Sequence, residues 1–192
     1  NSLSGRVTAE LETTLKGKFK PEKNEIFGKE SFSKKKDSKS LDIVVDTNGT
    51  LLWDDDAKYE KHHLIITSEK VTKEYLEYLD TKNISWIACG KDKIDLNKAM
   101  EKLYKEFKVE RLAVVGGPII NSSFLNCGLL DEVSLLIGPG IDGRKGMPAV
   151  FDGFDMEHPV TKLKLEECKS FNSGAVWLRY SLIKDDGNVK LK

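Results

Sequence analysis

The sequence predicts an α/β domain with a mainly parallel central sheet, and three observations carry that prediction. From residue 41 onward, short apolar runs rich in β-branched residues alternate with amphipathic helical stretches. Several of the runs end in small or polar residues, as strands do where the chain turns sharply into a helix. Beyond residue 159 the pattern changes to strict apolar–polar alternation around Asn172-Ser173-Gly174, which reads as an antiparallel hairpin closing one edge of the sheet. A parallel sheet is covered on both faces, so helices are expected above and below it.

A chain of 192 residues can bury a substantial core, and a single domain over 1–192 is expected. Lys and Arg number 31, as do Asp and Glu, so the formal charge is zero. Balanced charge gives no electrostatic case for a nucleic-acid or membrane surface. No apolar run reaches the length of a membrane span, and the first residues do not read as a signal peptide. Cys89, Cys127 and Cys168 are isolated, which suits small core residues of a reduced, cytoplasmic protein.

Taken in order, Val7, Leu11 and Leu15 fall at i, i+4 and i+8, a helical stripe beginning near Gly5, with Thr8 able to cap it. Residues 16–40 are polar and lysine-rich and read as a long loop with one short helical turn. Its basic run 34–36 reads as a solvated face. Residues 41–46 (LDIVVD) form a strand ending at the Thr47-Asn48-Gly49 turn, and 51–53 can extend as strand. A buried strand at 64–67 leads to a helix capped by Thr72, with Val71 and Leu76 as a hydrophobic staple. Residues 84–89 (ISWIAC) form the next strand, ending at Gly90. Asp95 then caps a helix whose apolar stripe is Leu96, Ala99, Met100, Leu103, Tyr104 and Phe107.

The stretch 111–139 (RLAVVGGPIINSSFLNCGLLDEVSLLIGP) organises the rest. Its apolar run ends at Gly116 and Gly117, and a helix opens with Gly117 as cap and Pro118 as first residue. Ile120, Phe124 and Leu125 give that helix its apolar face, Gly128 suits a left-handed cap, and 133–137 is a further strand. Strand, two glycines and helix is a geometry that binds phosphate, because bare backbone amides and the helix dipole face one point. It is also an ordinary tight turn. Gly5, Arg6, Val7 and Thr8 mark a second helix beginning suited to anions, where Arg6 adds a planar donor fork. An ordinary capped helix with a solvated arginine fits those four residues too. In parallel sheets ligands lie beyond the carboxyl ends of the strands. Thr67-Ser68, Gly90 and Gly116-Gly117 are three such ends. No His, Cys and carboxylate spacing matches a metal site, so none is expected. No Ser-His-Asp arrangement is visible either, and His62, His63 and His158 read as solvated or edge residues. Hard chemistry would then fall to a cofactor.

SGRVTAE is similar to the Gly-Arg-x-Thr-x-Glu stretch of dihydrofolate reductases, and VVGGPIINSSFL to their later Gly-Gly turn and helix. FLNCGLLDEVSLLIGPGIDGRKGMPAVFDG and the closing AVWLRYSLI more closely resemble a relative of that fold, the reductase domain of riboflavin biosynthesis. The resemblance implies a dihydrofolate reductase-like three-layer α/β/α fold and an NADPH-dependent reductase. It acts by hydride transfer, converting the ribosyl group of a ribosylaminopyrimidine phosphate to ribityl. Carried over residue by residue, it implies that Gly5, Arg6, Thr8, Gly116, Gly117, Pro118 and Ile119 hold the cofactor's phosphates. Thr67 and Ser68 match strand-end hydroxyls near its adenosine ribose. Asn121 and Glu132 lie where substrate or nicotinamide contacts fall, and no catalytic residue is assigned. Homodimers are common in the family.

The chain opens at what would be that family's second helix, so its first strand and helix have no counterpart in this reading. Val115 stands where those reductases usually place a glutamate, which bears on pyrimidine specificity and leaves the cofactor untouched. Two alternatives stay open: a reductase of another heterocycle such as a pterin, and a nucleotide-binding module without turnover.

Overall fold

The computed structural model describes residues 1–147 and 149–183, so Pro148 and residues 184–192 of the expected 1–192 unit lie outside the described residues. The elements run β1 (Ser2–Gly5), α1 (Arg6–Glu12), β2 (Ser31–Ser33), β3 (Leu41–Val45), β4 (His62–Thr67), α2 (Lys73–Thr81), β5 (Ser85–Ala88), α3 (Leu96–Phe107), β6 (Ala113–Gly116), α4 (Pro118–Asn126), β7 (Glu132–Ile137), β8 (Leu163–Ser170) and β9 (Val176–Leu182). A single 3₁₀ turn covers Asp56–Lys58.

Six strands form the main sheet in the order β2-β5-β4-β3-β1-β6, parallel throughout except for β2. β3 and β4 are central and buried on both faces, which explains their unbroken apolar runs. Alternate side chains divide the core in two. Ile43, Val45, Leu64, Ile66 and Ile87 pack under Ala99, Leu103 and Phe107 of α3 and Phe124 of α4. Val44, Ile65, Trp86 and Ala88 pack under Ala9 of α1 and Tyr75, Leu76 and Leu79 of α2. Helices therefore cover both faces, giving the three-layer α/β/α arrangement.

Local capping chemistry sets the helix ends. The Thr72 side chain accepts from the Tyr75 N–H, Asp95 accepts from the Lys98 N–H, and α4 starts with Gly117 as cap and Pro118 inside it. Val71 and Leu76 are buried in one cluster, as a staple requires.

Other sequence expectations need correction. The helix begins at Gly5 as expected, but residues 2–5 before it form a strand that the sequence does not signal. Val7, Leu11 and Leu15 are 60%, 82% and 47% exposed, and α1 turns Ala9 inward instead. Gly5 is the α1 cap and no side chain caps it, so Thr8 does not serve there. Tyr104 is 62% exposed, outside the buried stripe of α3. Residues 16–40 hold no helical turn; they carry β2, which pairs antiparallel with β5, and an isolated bridge from Ile26 to Thr72, and a second bridge from Leu15 to Leu52 lies just before them. Lys34, Lys35 and Lys36 each pair with a carboxylate, Asp37, Asp80 and Asp56, and are not a simple solvated face. Only Cys89 of the three cysteines is buried, and burial pushes its thiol up to about 11. The hairpin β8–β9 does not close the parallel sheet: it pairs with β7 in a separate three-stranded sheet ordered β7-β9-β8.

The histidines differ most from expectation. His62 and His63 are each 2% exposed, and both reach the buried Asp56 carboxylate. His62 Nδ1 lies 2.5 Å from Asp56 Oδ2 and its Nε2 lies 2.8 Å from Ser85 Oγ. His63 Nδ1 lies 3.2 Å from Asp56 Oδ1, which also accepts from the His63 backbone N–H at 2.9 Å. A Ser–His–carboxylate connectivity is thus present, but Ser85 is sealed and receives the Lys35 backbone N–H. It sits at the amino ends of β4 and β5 and holds the sheet rather than a substrate.

Burial pushes the His63 imidazole below its ordinary value, against the hydrogen bond to Asp56. Burial works to raise Asp56, but hydrogen bonds from the His63 backbone, His62 and Lys36 outweigh it and hold the carboxyl below its ordinary value. Both signs favour the fold at higher pH. The His63 contribution is complete above its unfolded value of 6.5 and is lost as pH falls below it. The Asp56 contribution is lost only below 3.8. Melting temperature should therefore be level above pH 7 and fall from about pH 6.5, with a further fall below about pH 4. His63→Gln should remove the upper step. A flat profile from pH 7 to 5 in the unaltered protein would refute this account.

Candidate functional site

β1 is the switch point of the main sheet. From it, β3, β4 and β5 lie to one side and β6 to the other. The helix that follows β1 packs on one face and the helix that follows β6 on the opposite face. A crevice must open where the chain leaves in two directions, beyond the carboxyl ends of the strands. A groove of about 700 Å³ lies there.

Two of its walls are helix beginnings: Gly5 to Thr8 at the start of α1, and Gly117 to Ile120 at the start of α4. They meet because β1 pairs in parallel with β6, Ser4 opposite Gly116. The register shifts between Leu3 and Ser4, so Val115 is the extra residue of a bulge. Gly116 has φ +150, a backbone that side chains rarely adopt, and this bend aims the chain into α4. Gly5 is fixed by packing: a Cβ there would come within 2.9 Å of Ile120 Cγ1. Gly117 is open, with nothing within 4 Å of where its Cβ would stand, so a ligand can reach its backbone. Arg6 Nη1 is held 2.5 Å from Glu10 Oε1 on the next turn of α1.

The third wall comes from the end of β3: Val45, Asp46, Thr47, Asn48 and Thr50, with Lys18 beside them. In the sequence, Thr47-Asn48-Gly49 reads only as a turn. The signal was the strand end itself, since LDIVVD closes in a carboxylate followed by hydroxyl and amide residues.

The remaining candidates lie apart from the groove lining. Thr67 and Ser68 are fully buried. The Thr67 hydroxyl donates to Ile87 O at 3.4 Å, and the Ser68 hydroxyl donates to Thr47 O at 2.9 Å. β4 is one strand removed from β1, so Ser68 supports the third wall from behind. Gly90 likewise does not line the groove; its N–H donates to Glu69 Oε1 at 3.0 Å. Asn121 faces the other side of α4, where its Nδ2 donates to Val150 O at 2.8 Å and its Oδ1 is buried without a partner. Glu132 opens β7 and pairs with Arg179 at 3.0 Å in the second sheet. Val115 is 59% exposed on the outer strand. A smaller hollow of about 350 Å³ adjoins α4, lined by Ile119, Ser122, Asp152 and the parallel-stacked rings of Phe154 and His158, centroids 3.8 Å apart. Ile119 lines both spaces.

Among the described residues, no helix is long and apolar enough to cross a membrane. Residues 5–177 match the family model of the RibD C-terminal domain. The chain is 31% identical over 93 residues to a 2,5-diamino-6-ribosylamino-4(3H)-pyrimidinone 5′-phosphate reductase of Methanothermobacter thermautotrophicus, covering 48% of this chain and 43% of that protein. It is 31% identical over 90 residues to the protein of the same name from Aquifex aeolicus, covering 47% and 40%. The chain thus spans less than half the length of these curated relatives. In structure it is similar to a pyrimidine reductase-like protein of Corynebacterium diphtheriae, with TM-score 0.67 and 19% identity over 96% of this chain and 76% of that one. RibD of Acinetobacter baumannii gives TM-score 0.61 and 14% identity over 95% and 46%. At these identities the structural likeness establishes the fold, dihydrofolate reductase-like, while the match over 5–177 settles kinship: the chain belongs to the family of the RibD C-terminal domain.

Proposed function

We propose that this chain is an NADPH-dependent reductase of riboflavin biosynthesis, reducing the ribosyl group of a ribosylaminopyrimidine 5′-phosphate to ribityl. The observation that carries the reading is the meeting of two helix beginnings, near Arg6 and near Pro118, across one groove. The open backbone at Gly117 and the guanidinium of Arg6 suit a pyrophosphate and an adenosine phosphate. Gly5, Thr8, Gly116, Pro118 and Ile119 complete that cradle, and Thr67 and Ser68 support it from outside. Reduced nicotinamide bound there supplies the hydride. The chain's own part is to grip the phosphates, orient the cofactor and present the substrate, for which Asn121 and Glu132 remain the proposed contacts. The names carried by the curated relatives support a phosphorylated pyrimidine as substrate. Val115, an apolar residue in the bulge of β6 two positions before Gly117, favours a second reading in which the heterocycle is a pterin. Free thiols at all three cysteines fit a reducing, cytoplasmic setting.

A homodimer is proposed through the three-stranded sheet. β8 is exposed along its whole length, and Leu136, Leu163 and Leu165 are 69%, 40% and 50% exposed. Such an edge pairs readily with another chain.

Full-length protein should oxidise NADPH with the pyrimidine phosphate and leave dihydrofolate untouched; the reverse selects the pterin reading, and binding without turnover of either selects a nucleotide-binding module. NADPH should raise the melting temperature, as any ligand specific to the folded state does. Arg6→Ala should weaken NADPH about tenfold, the scale of a charge-assisted hydrogen bond, and NADH far less. Equal losses would remove Arg6 from the phosphate. Gly117→Val fills open space and should abolish NADPH binding at a stability cost of only about 1 kcal/mol from the weaker cap. Sedimentation velocity should show a dimer that Leu165→Lys converts to monomer.

A further inference from the structure

Beyond Val45 at the end of β3, the third wall of the groove has no regular secondary structure, yet it is tightly held from below. Asp46 is 0% exposed, so its carboxylate cannot meet a ligand. It accepts from the Thr50 N–H at 2.6 Å, the Thr50 hydroxyl at 3.2 Å, the Leu51 N–H at 2.9 Å and the Tyr75 hydroxyl at 3.1 Å. Three of these bonds close the loop on itself; the fourth ties it to α2. Tyr75 is also 0% exposed. Its ring lies against Gly49, where φ is +67 and an added Cβ would come within 2.4 Å of the ring. The same ring meets Phe19 edge-on at 5.1 Å, and the Phe19 N–H donates to Thr50 O at 2.8 Å, which pins the segment carrying Lys18. Burial, with the Asp46 charge beside it, pushes the Tyr75 phenol well above its ordinary value, so it remains a donor.

The geometry points to Tyr75 and Asp46 as positioning residues for the cofactor: through their hydrogen bond, α2 presets the wall formed by Lys18, Thr47, Asn48 and Thr50. This rests on the reading of the groove as a nicotinamide cofactor site. A preset wall spares the ligand the cost of ordering it. Losing the hydroxyl loosens the wall, and the loss appears in cofactor affinity rather than in the chemical step.

Tyr75→Phe removes one oxygen, which donates to Asp46 and also accepts from Trp53 Nε1 at 3.3 Å, and keeps the ring against Gly49 and Phe19. In full-length protein, the Kd and KM for NADPH should rise about three- to tenfold, the scale of one net hydrogen bond. The kcat at saturating NADPH should stay within about twofold, and KM for the pyrimidine should not move, as expected where only cofactor binding is impaired. Asp46→Asn should act in the same direction. The two substitutions together should cost less than the sum of the singles, since the two groups share one bond. Tyr78→Phe is the control. That hydroxyl accepts from the Trp53 N–H at 2.6 Å and donates to Trp53 O at 2.7 Å. Its loss should lower the melting temperature and leave KM for NADPH unchanged. A Tyr75→Phe protein with lower melting temperature and unaltered KM overturns the inference, as does an equal rise in KM for Tyr78→Phe. Unaltered protein that binds no NADPH overturns the cofactor reading itself, and this inference with it.

Discussion

The parallel pairing of one short strand with a neighbour on each side is the constraint on which the rest depends. β1 has only four residues, yet it hydrogen-bonds to β3 on one edge and β6 on the other. That double pairing places three carboxyl ends side by side, about 5 Å apart from strand to strand. Each end then departs differently: β1 into α1 on one face, β6 into α4 on the other, and β3 into the Asp46 turn on the side of β1 away from β6. The groove follows from this divergence. Its width is set where α4 comes down on Gly5, because Ile120 occupies the space a side chain would need.

Polar burial at the two ends of the sheet serves different ends. At the amino ends, Asp56 gathers two imidazoles and a lysine, with side-chain exposure of 1% or less for Asp56 and His62. An unpaired carboxylate at that depth would be costly, and each partner offsets part of that cost. At the carboxyl ends, Asp46 gathers backbone amides and hydroxyls and so shapes a loop. One carboxylate binds strands together; the other freezes a surface.

Much of the architecture was legible in the sequence where signals are local. Thr72, Asp95 and the Gly117-Pro118 pair mark helix starts by side-chain chemistry within four residues. The two glycines before Pro118 and the Arg6 helix start pointed to the groove for the same reason. Legibility failed where partners are remote. SLSG gives no strand signal, because two serines and a glycine replace the usual apolar run, and its burial comes from strands far along the chain. Without β1 the lateral order is unreadable, so Thr67 and Ser68 read as crevice residues although β3 stands between β4 and β1. His62 and His63 read as exposed because their common acceptor lies in a 3₁₀ turn with no sequence signature. The second sheet was missed because alternation tells that β8 and β9 pair, not what they pair with next.

The bulge between β1 and β6 also has a temporal side. Ser4 and Gly116 face each other across more than a hundred residues of chain. A polypeptide emerging from its N-terminus can dock β1 against β3 early, but β6 arrives only after β4, α2, β5 and α3 have been made. Closing so long a loop is slow compared with forming the local helices. β6 is therefore the last strand of the main sheet to be synthesised, and the crevice has no second wall before it. A chain arrested before β6 would carry a largely formed core and only one of the two jaws.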